Sequence, residues 1–326
     1  LKLAEIYRES GKNQATINEL EAVLESHPKD LDVLYQLAGT FRQYGERLKA
    51  NEVYNRIQKL TGPDLSILMQ KFENFNALNM TDSAISELEK MRELDPDNLN
   101  TLQTLSQFHI QEQQYNKARD ALEDALDRNP RDPKSLVMMA DLYLKQDKWN
   151  NAGSFLNRVV SDSLISPQAK MEVIQFLFSY YQNNRGNEEL QQVTGTVIDE
   201  LRKQEPDYGM AHAIAAEFYN SLKETGKALD ALAETNRLMP ENDSAWKQRI
   251  QLLYQNSHFE KVIQVGRQAD ENVPDEPVIQ FFIGSSYMLN GNNTKAVEWL
   301  EKATKGPARK SLKSIIFGSL GDAHTS

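Results

Sequence analysis

The residues able to do chemistry are few and scattered. Five histidines, His27, His109, His212, His258 and His324, share no His-x-x-x-His spacing, the arrangement that would set two imidazoles on one helix face as metal ligands. His109 and His212 fall on packing faces and read as core. The chain has no cysteine, hence no thiolate nucleophile, no Cys-ligated zinc and no disulfide framework. It has no G-x-S-x-G elbow, no G-x-x-x-x-G-K-[ST] loop and no G-x-G-x-x-G opening a helix after a strand. The carboxylate pairs Glu188-Glu189 and Asp95 with Asp97 stand near turns, where acids favour helix starts. They read as capping or solvated charge. The expectation is a protein without catalytic residues, metal or cofactor, and not an enzyme.

Composition narrows the partners. The 326 residues carry 37 Lys and Arg against 47 Asp and Glu, a net charge of −10. Nucleic-acid binding needs clustered positive charge to release counterions, so no nucleic acid is expected. The longest apolar stretch, around 173–181, is short and interrupted by Gln175 and Ser179, so no membrane insertion is expected in this segment. The chain opens on Leu1 with no basic n-region and reads as a piece of something longer. An acidic, cysteine-free chain suits a bacterial cytoplasm or periplasm equally, and the compartment stays open.

What must position any functional residue is a repeat. Prolines fall at 28, 63, 96, 130, 167, 206, 240, 274 and 307, with successive gaps of 35, 33, 34, 37, 39, 34, 34 and 33. A fixed period of this size overrides a globular reading. A second marker keeps step: Thr16, Ala50, Ala84, Ala118 and Ala152 are each 34 apart, and Ala228, Val262 and Ala296 resume at 34. The two steps flanking Leu190 are 38 each, so four residues enter on either side without loss of register. Each period holds two helical stripes. In 98–130, Leu99, Leu102, Leu105, Ser106 and His109 recur at three and four; after Tyr115-Asn116-Lys117 come Ala118, Ala121, Leu122, Ala125 and Leu126. Proline after Asn129 ends the second stripe. Period-two runs of β-branched residues are absent.

These features resemble the tetratricopeptide repeat, W-x2-L-G-x2-Y, then A-x3-F, then P, in about 34 residues. Its first-helix anchors are matched by Leu3-Ala4 with Tyr7, Leu37-Ala38 with Phe41 and Met139-Ala140 with Tyr143, then by Ala215-Ala216 with Tyr219 and Ile283-Gly284 with Tyr287. Trp246 takes a leading aromatic place. In second helices Ala50 with Tyr54, Ala118 with Leu122, Ala152 with Leu156 and Ala296 with Leu300 follow the small-then-large rule. The resemblance implies an all-α, right-handed superhelical α-solenoid of antiparallel helix pairs, one array over 1–326. Its repeats are 1–28, 31–63, 65–96, 99–130, 133–167, 170–206, 209–240, 243–274 and 277–307, with a partial repeat at the N-terminus. Residues 311–326 form a capping helix or a truncated tenth repeat.

Several places depart from the pattern. Lys71 and Arg249 stand where Leu is expected, and Gly266 replaces a large second-helix residue. The repeat at 170–206 fits worst, with Thr194-Gly195 in its second helix. The extra residues near 161–167 and 183–187 read as longer loops, with a hinge as the alternative. At the end, Ile315, Ile316, Phe317 and Leu320 are expected to cover the preceding repeat, with homo-oligomerisation through the terminal helices as the alternative.

The resemblance places a ligand in a concave groove lined by first helices. Helical periodicity puts Tyr35, Gly39 and Arg42, then Met69, Glu73 and Asn76, then Gln103, Gln107 and Ile110 on that stripe. It continues through Val137, Asp141 and Leu144, Gln175, Ser179 and Gln182, and Ala213, Glu217 and Asn220. Lys247, Gln251 and Tyr254, then Phe281, Ser285 and Met288 complete it. Amides recur there, and an amide both donates and accepts, so it can pair with the backbone of an extended peptide. The competing reading is that glutamine simply suits exposed helix. Tyr35, Met69, Tyr254, Phe281 and Met288 serve either as anchors for a ligand side chain or, more simply, as packing between repeats. The family's carboxylate clamp is missing: Phe282 follows Lys247 and Gln251 where Asn is needed, and Met138 follows Lys134 where Arg is needed. Three functions stay open. The first is a non-enzymatic scaffold binding a peptide or protein segment, one arm of a multi-protein assembly. The second is the regulatory or substrate-recruiting region of a larger enzyme, and the third a self-assembling array.

Overall fold

The structure, a computed structural model, describes residues 1–307 and 309–325. Ala308, Ser326 and the Thr325 side chain lie outside the described residues, and with them the end of the expected 311–326 segment. Among the described residues there are nineteen α-helices and no strand. Two compact units divide the chain, Leu1–Lys148 and Trp149–Ser326. The first holds α1 (Lys2–Glu9), α2 (Asn13–Ser26), α3 (Leu31–Gln43), α4 (Arg47–Thr61), α5 (Leu65–Ala77), α6 (Thr81–Leu94), α7 (Leu99–Gln111), α8 (Tyr115–Arg128) and α9 (Pro133–Leu144). The second holds α10 (Trp149–Val160), α11 (Pro167–Asn183), α12 (Glu188–Gln204), α13 (Gly209–Ser221), α14 (Thr225–Leu238), α15 (Asp243–Gln255), α16 (Phe259–Asn272), α17 (Pro277–Leu289), α18 (Asn293–Lys305) and α19 (Lys310–Thr325). Within each unit every helix packs against its chain neighbours. Within the units, turns of three residues join α1 to α2, α3 to α4, α5 to α6, α7 to α8, α13 to α14, α15 to α16 and α17 to α18, and one of four joins α11 to α12, so these paired helices run antiparallel.

Local chemistry sets the boundaries. Asp30, Asp64, Asn98, Asp132 and Ser166, 34 apart, each cap a first helix by accepting a hydrogen bond from a backbone N–H two or three residues on. Within each pair the turn contains one left-handed residue, and these too recur every 34: Gly11, Gly45, Asn79, Gln113 and Asp147, then Lys223, Ser257 and Gly291. The following N–H donates back into the helix, as from Gln114 to the His109 carbonyl at 2.7 Å. The turn thus demands a conformation, not a residue type, and non-glycine side chains hold it against a steric cost. Gln113→Gly and Lys223→Gly are each expected to raise stability by about 0.5–1 kcal/mol. Urea midpoints check this, and unchanged midpoints would mean that the side chains make offsetting contacts.

The second marker of the repeat is the core itself. Thr16, Ala50, Ala84, Ala118, Ala152, Leu190, Ala228, Val262 and Ala296 are all at most 1% exposed. Small residues there let helices paired within a unit approach, and Leu122 and Leu300, each fully buried, fill the space four residues on. The insertions around Leu190 are spent differently from the loops expected. Both α11 and α12 run 17 residues, against 13 for α13 and 14 for α14. Four residues make about one helical turn, so the added length extends both helices and leaves their apolar faces in phase.

The departures have local causes. A Cβ on Gly266 would lie 2.5 Å from Ile283 Cγ1, and one on Gly195 would lie 3.0 Å from the Phe218 ring, so a neighbouring helix fills both places. Thr194 turns its hydroxyl back to the Leu190 carbonyl at 2.7 Å. Lys71 is buried and meets Glu87 at 3.1 Å and Gln58 at 3.1 Å. His109 and His212 are core, bonded to Gln114 and to the Pro206 carbonyl. At the chain's end α19 packs on α18 and α17 through buried Ile316, while Ile315 and Phe317 are exposed.

Candidate binding face

In the first unit the expected stripe lies on α3, α5, α7 and α9. Arg42 of α3 and Glu73 of α5 meet at 2.7 Å, so residues one repeat apart stand side by side. Tyr35, Met69, Glu73, Asn76 and Gln107 are exposed, and Arg42 and Asp141 are half-buried. Asp141 is engaged by Lys145 one turn on, at 3.4 Å. Gln103 is a correction. It is 3% exposed, and its amide donates to the Asp132 carboxylate at 2.7 Å and to the Ser135 hydroxyl at 3.0 Å. Asp132 caps α9, so this amide ties α7 to the next cap and is withdrawn from the surface.

In the second unit the stripe runs over α11, α13, α15 and α17. The Gln182 amide donates to Glu217 of the next first helix at 3.3 Å. Gln175, Gln182, Glu217, Asn220 and Gln251 are exposed. Lys247 stands between Asp243 at 2.6 Å and Glu276 at 2.9 Å. Burial alone would lower its ammonium, but the hydrogen bonds to Asp243 and Glu276 outweigh it and hold the group above its ordinary range. Tyr254 is half-buried between Phe259, centroids 5.5 Å apart, and Phe282 at 5.0 Å, and Phe281 adjoins Phe282 at 5.5 Å. Tyr254 and Phe281 therefore serve packing, whereas Tyr35 and Met69 are left open at 46% and 38% exposure.

The amides of the expected stripe divide into engaged and free. Gln103 and Gln182 are bonded within the protein. Asn76, Gln107, Gln175, Asn220 and Gln251 are exposed, and their side chains make no hydrogen bond among the described residues. Gln175 also helps line a cleft of about 250 Å³ between α11, α13 and α15, with Ala213 and Glu217 of the expected stripe. Met210, Ile214 and Gln248 line it too and were missed in the sequence. Met210 stands three residues before Ala213 and Ile214 three before Glu217, so adding each stripe residue's neighbour one turn earlier would have found them.

Among the described residues no three His, Asp or Glu side chains converge as metal ligands, and no helix is long and apolar enough to cross a membrane. What the face offers is unpaired polar groups on successive first helices of each unit.

A family model described as tetratricopeptide repeat matches residues 278–305, the pair α17 and α18. The capped helix pairs and the buried small residue that accompany this match recur through both units. The chain is a repeat protein of helix pairs, with a tetratricopeptide repeat matched at 278–305. A second family model, described as subunit 3 of the anaphase-promoting complex, or cyclosome, matches residues 77–159. No curated protein matches the sequence. Among solved structures the chain is similar to a tetratricopeptide repeat protein from Parabacteroides merdae, at 13% identity over 98% of this chain and 96% of that one, TM-score 0.39. It is also similar to the TPR domain of P58(IPK), at 13% identity over 99% and 96%, TM-score 0.33. MamA from Desulfovibrio magneticus is similar at 17% identity over 48% and 89%, TM-score 0.37. The tetratricopeptide fold suggests a protein-interaction scaffold, and families built on it are generally non-catalytic.

Proposed function

We propose that this repeat protein is a non-enzymatic scaffold that holds an extended peptide or protein segment along its first-helix faces, each compact unit supplying its own stretch. The observation that carries the reading is the set of free amides, Asn76 and Gln107 in the first unit and Gln175, Asn220 and Gln251 in the second, all exposed and unbonded. Each has a donor and an acceptor left over, which is what the N–H and C=O of an extended backbone require. The pairs Arg42–Glu73 and Gln182–Glu217 support it, because they show that neighbouring first helices bring stripe residues within bonding reach. Tyr35 and Met69 add exposed apolar area for a ligand side chain.

Affinity capture with the full chain as bait tests this. A partner is expected to be retained by the parent chain and weakened about tenfold or more when Asn76, Gln107, Gln175, Asn220 and Gln251 are all changed to Ala, since each lost hydrogen bond is worth about 0.5–1.5 kcal/mol. The substituted positions are exposed helix, so helicity is expected to hold. Equal retention by both chains would remove the first-helix faces as the binding surface.

A further inference from the structure

Two cations stand at the same place of the repeat, and only one of them is answered. Lys71 and Arg249 both replace the buried apolar residue found as Leu37, Leu105 and Ile283 in other repeats. In the third repeat the paired second helix supplies Glu87, whose carboxylate lies 3.1 Å from the Lys71 ammonium. In the eighth repeat the position equivalent to Glu87 is Val265, buried and apolar. Arg249 is half-buried and makes no hydrogen bond or ion pair among the described residues. Burial holds its guanidinium below its ordinary range, opposed only by the charge of Asp230.

Arg249 does not face closed core. It lines a cleft of about 730 Å³ between α14, α15 and α16, together with Asp230, His258, Lys261, Gln264 and Gln268. Second helices form two of its walls, so the cleft is distinct from the first-helix stripe. A guanidinium presents a planar fork of donors matched to a carboxylate. Lys261 adds a second positive charge, and the two amides can pair with a peptide backbone.

We propose that this cleft is a second binding site that takes a carboxylate side chain of an acidic segment on a partner protein, with Arg249 as the group that pairs with it. The acidic residue that closes the third repeat from within is supplied from outside in the eighth.

The test uses the full chain and a fluorescein-labelled, amidated tetraglutamate peptide, with tetraglutamine as control, followed by anisotropy. Tetraglutamate is expected to bind and tetraglutamine to bind at least tenfold more weakly. Arg249→Leu, which restores the residue type of Leu37 and Leu105, is expected to keep its helicity and to lose about tenfold or more of the tetraglutamate affinity. Lys247→Gln, on the first-helix stripe, is expected to leave that affinity unchanged. Equal binding of the two peptides would overturn the proposal. So would full affinity in Arg249→Leu, or loss of affinity confined to Lys247→Gln, which would put the peptide on the first-helix face.

Discussion

Glu87→Leu is expected to lower the stability of the first unit by about 3–5 kcal/mol. Lys71 and Glu87 are each 4% exposed, and they meet across α5 and α6 at 3.1 Å. Removing only the carboxylate leaves an ammonium buried with the neutral Gln58 as its remaining partner, and desolvation is then uncompensated. The double change Lys71→Leu/Glu87→Leu restores the repeat's usual apolar residue, and its stability is expected to fall close to the parent's or above it. Stacked repeats need not unfold in one step. Hydrogen exchange of α5 and α6 therefore belongs beside the denaturant midpoint. A loss below about 1 kcal/mol in the single variant would mean that the ammonium reaches water.

Phe218→Ala is expected to cost the second unit about 3–5 kcal/mol. The ring is 1% exposed and stands among Phe178, Tyr181 and Tyr219, with centroids 6.2, 5.5 and 5.5 Å away. Gly195 yields its side-chain space to this ring, so truncation opens a cavity that no neighbour is placed to fill. Phe218→Leu keeps most of the volume and is expected to cost about 1.5 kcal/mol or less. The difference between the two urea midpoints is the measurement, and equal losses would mean that the aromatic contacts, not the cavity, set the cost.

Much of this protein was legible because the repeat writes the same physics many times. A buried residue, most often alanine, recurring mostly at 34 residues and a proline after each second helix are signals carried by residue type. The left-handed turns at Gln113, Lys223 and Ser257 carry no such signal, since the conformation is imposed by helix pairing, whereas glycine advertises it at Gly11, Gly45, Gly186 and Gly291. The added residues around Leu190 were legible in number but not in use, because four residues serve equally as loop or as one helical turn. At the binding face, spacing placed Gln103 on the same stripe as Gln107. It could not show that Asp132 and Ser135, 29 and 32 residues on, take up that amide. The contrast between Lys71 and Arg249 has the same origin, since whether a buried cation is answered depends on a residue of the next helix.

The central claim, that exposed amides of the first helices hold the ligand, is tested most directly by photo-crosslinking. A photoreactive side chain would replace Gln107 or Gln175 on first helices and, as controls, the exposed Glu52 of α4 or Asn116 of α8 on second helices. With the captured partner bound, crosslinks are expected from positions 107 and 175 and not from 52 or 116. Crosslinks from 52 and 116 alone would place the ligand on the second helices and contradict the account.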